Sequence, residues 1–198
     1  MSVVISMIVF ALIGAISPGP VNIIATGAAA NFGFRRALPH VIGASVSYCL
    51  VVFISGFSLT AVLQLLPSLT GLLQYIGGAF LLFMAYKIAI SPVSEDTHQK
   101  IISPPSALQG ALAQGLNPKA WLVAMSGVSL FVSPQTGALF YLLVFCTISL
   151  IVCLIGVGTW AAMGSVIASY LHTAIRKRTF NIVMALLLAG SVVSLFVS

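Results

Sequence analysis

Residues 16–22 read Ile16-Ser17-Pro18-Gly19-Pro20-Val21-Asn22, and they interrupt an apolar run that extends over 3–30. A run of that length can cross a bilayer, which takes roughly 20 residues of helix. Each proline removes a backbone donor and clashes with the preceding turn, so a helix built from this run breaks near its middle. Carbonyls freed inside a membrane need other partners, from protein, water or cargo. A second break, Asn117-Pro118-Lys119, interrupts the apolar run 107–132. A pair of interrupted hydrophobic segments at corresponding places in two halves of a chain points to the binding site of a transporter built from repeats.

The rest of the chain fits that reading. Its 198 residues are 60% hydrophobic and 5% charged, with a mean hydropathy of +1.18; soluble domains carry about 25% charged residues. The sequence is that of an all-α integral membrane protein. Apolar runs at 3–30, 38–66, 69–90, 107–132, 138–167 and 180–197 predict six transmembrane helices, of which the first and fourth are proline-broken. The formal charge of +6 reflects eight Lys and Arg residues against two acidic ones; all but Lys119 lie in or beside the loops between spans, so the charge does not form a nucleic-acid-binding face. Arg35, Arg36, Lys87, Lys100, Arg176, Lys177 and Arg178 all fall on one side of the predicted membrane, while the loops around Pro67 and Pro134 carry no charge. The positive-inside rule places that basic side in the cytoplasm and both termini outside. The first run is longer than a signal-peptide core and reads as a retained span.

A polar stretch at 91–106 holds both acidic residues, Glu95 and Asp96, with His98 and Lys100, and divides the spans three and three. It reads as a cytoplasmic connector within a single transporter domain, 1–198, between repeat one (1–90) and repeat two (107–198). Three crossings per unit force the second unit to start on the opposite side, so the repeats are inverted. Setting Pro18 on Pro118 also sets Thr26 on Ser126 and Gly27 on Gly127. The pairs Gly43 with Ser47, Gly158 with Ala162 and Gly164 with Ala168 have the spacing of close helix packing, and such faces suit a homodimer. Tyr48, Trp121 and Trp160 fit interfacial anchors, site walls or packing equally well.

Lys119 is the most demanding residue. It lies 14 residues from Pro105 and 14 from Ser133, roughly 21 Å along the helix from either end. A lysine that deep faces a polar interior and marks a functional site by default. No Asp or Glu lies in any span, so its expected partners are the carbonyls freed by Pro18, Pro20 and Pro118, the amides of Asn22 and Asn117, water, or a substrate carboxylate. Exposed half-helix N-termini also attract anions. Together these features suit a zwitterion and disfavour a dibasic cargo. His40 and His172, near the cytoplasmic ends of their spans, read as solvated or locally bonded, and an intramembrane carboxylate relay is missing. Cys49, Cys146 and Cys153 form no CxxC and read as packing residues rather than metal ligands or a redox pair. No convergent acid, base and metal constellation suggests an enzyme, and no cofactor is implied. A non-transporting membrane scaffold is the competing class.

At these motifs the chain resembles the LysE/RhtB family of bacterial amino-acid exporters. The resemblance runs through Ser17-Pro18-Gly19-Pro20 with Asn22, Gly33-Phe34-Arg35-Arg36, Gly43, Gly77-Gly78-Ala79 and Asn117-Pro118-Lys119-Ala120. Lys87-Ile88-Ala89-Ile90-Ser91-Pro92 and Phe131-Val132-Ser133-Pro134-Gln135-Thr136 look closest to the members that handle cysteine and O-acetylserine. The resemblance implies export of small neutral amino acids or derivatives across a bacterial inner membrane, driven by protons or another coupling ion; threonine, homoserine and leucine are the alternative cargoes. It implies a substrate-binding centre of Pro18, Gly19, Pro20, Asn22, Asn117, Pro118 and Lys119. Many relatives carry an acidic residue in span five, where this chain reads Phe145-Cys146-Thr147-Ile148-Ser149-Leu150.

Overall fold

The first proline motif ends α1 (Val3–Ile16) and begins α2 (Pro20–Phe32), the two helices meeting at 58°. Gly33, at φ +86°, turns the chain straight into α3 (Phe34–Phe57), a backbone conformation that glycine takes without a Cβ penalty. A π-helical turn (Leu73–Gly77) leads into α4 (Gly78–Ala89). The second motif separates α5 (Ala107–Gly115) from α6 (Pro118–Phe131), followed by α7 (Ala138–Ala168) and α8 (Ala174–Val197). The computed structural model describes residues 2–57, 71, 73–91, 93 and 103–197, and among these it is all-helical. Glu95, Asp96, most of the connector and the loop around Pro67 lie outside the described residues. By length and composition α3 and α7 can each cross a bilayer, and the bent pair α1–α2 makes a third candidate.

The basic flanks differ from expectation. Arg35 and Arg36 belong to the first turn of α3, and Arg176, Lys177 and Arg178 to the start of α8, rather than to loops. Helical hydrogen bonding does not require apolar side chains, so it runs past the edge of the hydrophobic segment. At α8 the Thr173 hydroxyl accepts from Arg176 N at 3.3 Å and caps the helix.

α2 is the axis of the molecule. Every residue from Val21 to Ala30 is buried, and α3, α4, α5, α7 and α8 all contact the helix. Its sequence Ala25-Thr26-Gly27-Ala28-Ala29-Ala30 explains how so many neighbours fit, because small side chains let backbones approach. A second core joins α1, α3, α6 and α7 around Met7, Val52, Ala124, Val128 and Phe145. There Phe10, Phe131 and Phe145 stack with centroids 5.5 to 6.5 Å apart. The packing is crosswise: the broken pair α1–α2 lies along α7, the broken pair α5–α6 lies along α3, and α4 lies along α8.

Glycines set the tightest of these crossings. A Cβ on Gly43 would strike the Ala107 carbonyl, one on Gly110 the His40 carbonyl, and one on Gly164 the Thr26 carbonyl. Ser47 adds a hydrogen bond from its hydroxyl to Ala111 O at 2.9 Å. Gly158 departs from the expected pattern, since a Cβ there meets nothing within 4 Å. Gly43→Ala and Gly110→Ala are therefore expected to destabilise the fold by about 1–3 kcal/mol or more, because the atoms in the way are backbone. Gly158→Ala is expected to be neutral or stabilising by about 0.5–1 kcal/mol. Thermal unfolding in detergent separates the two classes, and equal melting temperatures for all three variants would contradict the packing described.

Candidate functional site

A helix that stops inside the protein leaves its last four carbonyls without intrahelical donors. At the end of α1 each finds one. Ile13 O accepts from Ser17 N at 3.3 Å. Gly14 O, which Pro18 cannot serve, accepts from Ser17 Oγ at 2.9 Å. Ala15 O accepts from Asn22 Nδ2 at 3.0 Å, and the same amide donates to Ser17 O at 3.0 Å. Ile16 O, deprived by Pro20, accepts from the Trp160 indole of α7 at 3.3 Å. These carbonyls, expected to await a lysine or a cargo ammonium, are thus already engaged by the protein.

The second break uses the same chemistry. Gly115 O, at the end of α5, accepts from the Trp121 indole at 2.8 Å. Asn117 caps α6, its Oδ1 accepting from Lys119 N at 3.1 Å, while Ala120 N donates to Asn117 O at 3.0 Å. The start of α2 is different. Gly19 stands at the capping position and has no side chain to offer. The amide N–H groups of Val21 and Asn22 consequently have no partner among the described residues. They lie at the positive end of the α2 dipole.

A cavity lies between the breaks, with about 70 Å³ in which the centre of a water molecule fits, room for several waters. Of the residues expected from sequence, Gly19, Pro20, Asn22, Asn117 and Lys119 line it, whereas Pro18 and Pro118 do not and act through the backbone they shape. Lys119 is exposed, and its Nζ reaches across to donate to Ser17 Oγ at 2.9 Å. Its partner is therefore a hydroxyl absent from the expected set, while the Asn22 Nδ2 and Asn117 Oδ1 atoms serve backbone groups. Among the described residues no carboxylate lines the cavity.

Sequence reasoning passed over Ser17, Ser149 and Cys153 as site residues and left Tyr48 and Trp160 open among anchor, site wall and packing. Ser17 had a local signal, since a hydroxyl preceding a proline break can bond back to the freed carbonyl. Tyr48, Ser149 and Cys153 reach the cavity from α3 and α7, and only tertiary packing brings them there. His40 is also displaced from expectation. It is fully buried with Nε2 3.2 Å from Val21 O, and Nδ1 has no partner. The close crossing at Gly110 accounts for this, since it seals α5 against the backbone of His40. His172 is exposed.

Comparison with known proteins gives a consistent result. The family model described as LysE type translocator matches residues 12–198. The cysteine/O-acetylserine efflux proteins of Escherichia coli (strain K12) and Shigella flexneri are each 33% identical to this chain over 192 residues, covering 94% of it and 94% of the relative. No solved structure matches the chain.

The capping scheme is testable on its own. Asn22→Ala strips donors from two carbonyls and Trp160→Phe from one, at about 1–3 kcal/mol per buried group left unpaired. Asn22→Asp is expected to behave like Asn22→Ala, because an ionised carboxylate cannot donate. Melting in detergent should rank Asn22→Ala and Asn22→Asp below Trp160→Phe, and wild-type melting of Asn22→Ala would refute the scheme.

Proposed function

Because the chain belongs to the LysE family of translocators, we propose that it is a secondary transporter exporting small neutral amino acids or derivatives, of the cysteine and O-acetylserine kind, from the cytoplasm. The observation that carries this reading is the cavity at the two breaks, which among the described residues combines one ammonium, two open helix amides and no carboxylate. Lys119 Nζ has three donors and spends one on Ser17 Oγ, so two remain for an anion. A cargo carboxylate fits between that ammonium and the start of α2. Its own ammonium group meets neutral acceptors such as Asn22 Oδ1 and the Gln114 amide oxygen. A dibasic amino acid would bring a second cation with no counter-charge. Threonine, homoserine and leucine meet the same rule and form the runner-up set.

The architecture we infer is six spans in two inverted three-helix repeats, with termini outside the cytoplasm and a bacterial inner-membrane location. Crosswise packing supports the repeat: exchanging the two halves carries the pairing of α1–α2 with α7 onto that of α5–α6 with α3, and maps α4 with α8 onto itself. We take protons as the driving ion, as the family resemblance implies.

Purified protein in liposomes loaded separately with labelled cysteine, O-acetylserine, threonine, homoserine, leucine or lysine, and given a pH gradient, tests the reading. Cysteine and O-acetylserine should leave fastest and lysine slowest; gradient-insensitive retention of every amino acid would sink it. Lys119→Gln should lower efflux roughly 10- to 100-fold, as expected for loss of a charge-assisted hydrogen bond, with Lys119→Arg retaining more. A scaffold would instead show no flux in wild type and altered folding alone in Lys119→Ala.

A further inference from the structure

Ser149 departs from a habit that several helical hydroxyls keep. Ser45, Ser126, Thr147, Thr159 and Ser165 each return their hydroxyl to the carbonyl four residues back in their own helix, at 2.8 to 3.4 Å. This is the ordinary refuge of a hydroxyl in apolar surroundings. Ser149, two residues after Thr147 on α7, is 1% exposed and its Oγ has no partner among the described residues. It lines the cavity with Cys153 and Val157, spaced four apart and so on one face of α7. Ser55 Oγ is likewise buried and unpaired, but it lies away from the cavity.

An unpaired buried hydroxyl is unfavourable unless something completes it. We propose that Ser149 recognises a polar atom on the cargo's side chain, so that the site selects short side chains bearing a heteroatom, such as a thiol, hydroxyl or ester, over aliphatic ones of equal size. This rests on the export reading and sharpens it. A hydroxyl can both donate and accept, so it suits an S–H or O–H donor and an ester carbonyl alike. Lys119 and Ser149 line the same cavity, so a cargo held by its carboxylate at Lys119 shares that space with the α7 wall. A site built to hydrogen-bond its cargo discriminates against the analogue lacking that group, because the protein's own polar atom is then stranded. Cys153 and Val157, adjacent on the same face, offer no comparable reward to a methyl group in that place.

The test compares efflux of labelled cysteine with that of 2-aminobutyrate, which has a methyl in place of the thiol, from liposomes containing wild type, Ser149→Ala or Ser55→Ala. Wild type should prefer cysteine. Ser149→Ala should reduce that preference about five- to tenfold, mainly through a higher KM for cysteine, and Ser55→Ala should leave it unchanged. An unaltered ratio in Ser149→Ala, or an equal fall in Ser55→Ala, overturns the role of Ser149 while leaving export standing. Absence of any amino-acid efflux in wild type overturns both. If Ser149→Ala exports neither compound, Ser149→Cys decides: a lowered ratio supports the role, and an unchanged ratio or no export overturns it.

Discussion

A backbone polar group inside a membrane protein must find a partner within the protein, and the two helix breaks make that requirement acute. Trp160 shows how far the answer reaches. Its indole donates to Ile16 O at the end of α1, and its carbonyl accepts from the Thr26 hydroxyl of α2 at 3.1 Å. One residue of α7 thereby holds both halves of the first broken helix. The approach that permits this depends on Gly164, one turn further along α7, where any Cβ would strike the Thr26 carbonyl. Removing the break's unpaired carbonyls and packing α7 against α2 are the same structural event.

The two breaks are capped alike at their carbonyl ends and differently at their amide ends. Each outgoing carbonyl row receives an indole, Trp160 at the first and Trp121 at the second. The incoming helix α6 begins with Asn117, whose side chain occupies the first amide, whereas α2 begins with Gly19, which occupies none. Only the first break therefore keeps open donors beside the cavity, and the second contributes a full positive charge on a flexible stem. Two kinds of positive potential converge from two elements, with no negative group among the described residues to neutralise them. That asymmetry favours an anion at the site more strongly than either break alone.

The breaks were legible because proline acts locally: it removes a donor wherever it stands, and both motifs divide helices where the sequence places them. The apolar runs were legible for the same reason, and α1 through α8 follow them to within a few residues at most ends. Lys119 was legible as an unusual residue, yet its partner was not. The ammonium donates to Ser17 Oγ rather than to Asn22 or Asn117, an arrangement visible only once the breaks face each other. His40 shows the same limit. Its position in the sequence suggests an interface, but the glycine crossing of α5 over α3 buries it, and no local feature of α3 announces that crossing. Gly158 and Gly164 have identical local credentials, and only their neighbours separate a packing glycine from an idle one.

Movement between the two broken helices is constrained unequally by these contacts. The crossings of α3 with α5 and of α7 with α2 place backbone directly on backbone at glycines, leaving no slack for a gradual slide. Packed interfaces of this kind move as units. Between the breaks themselves, the one side-chain hydrogen bond among the described residues runs from Lys119 to Ser17. It is exposed, and Ser17 Oγ already has Gly14 O as a second partner. Any anion entering the cavity competes for the same ammonium. Under the proposed export cycle the cargo therefore acts on the side-chain link between the two breaks, while α1–α2 with α7 and α5–α6 with α3 stay joined through the packing of α3 on α7. A carboxylate that draws Lys119 away from Ser17 releases that link and leaves the capped helix ends intact.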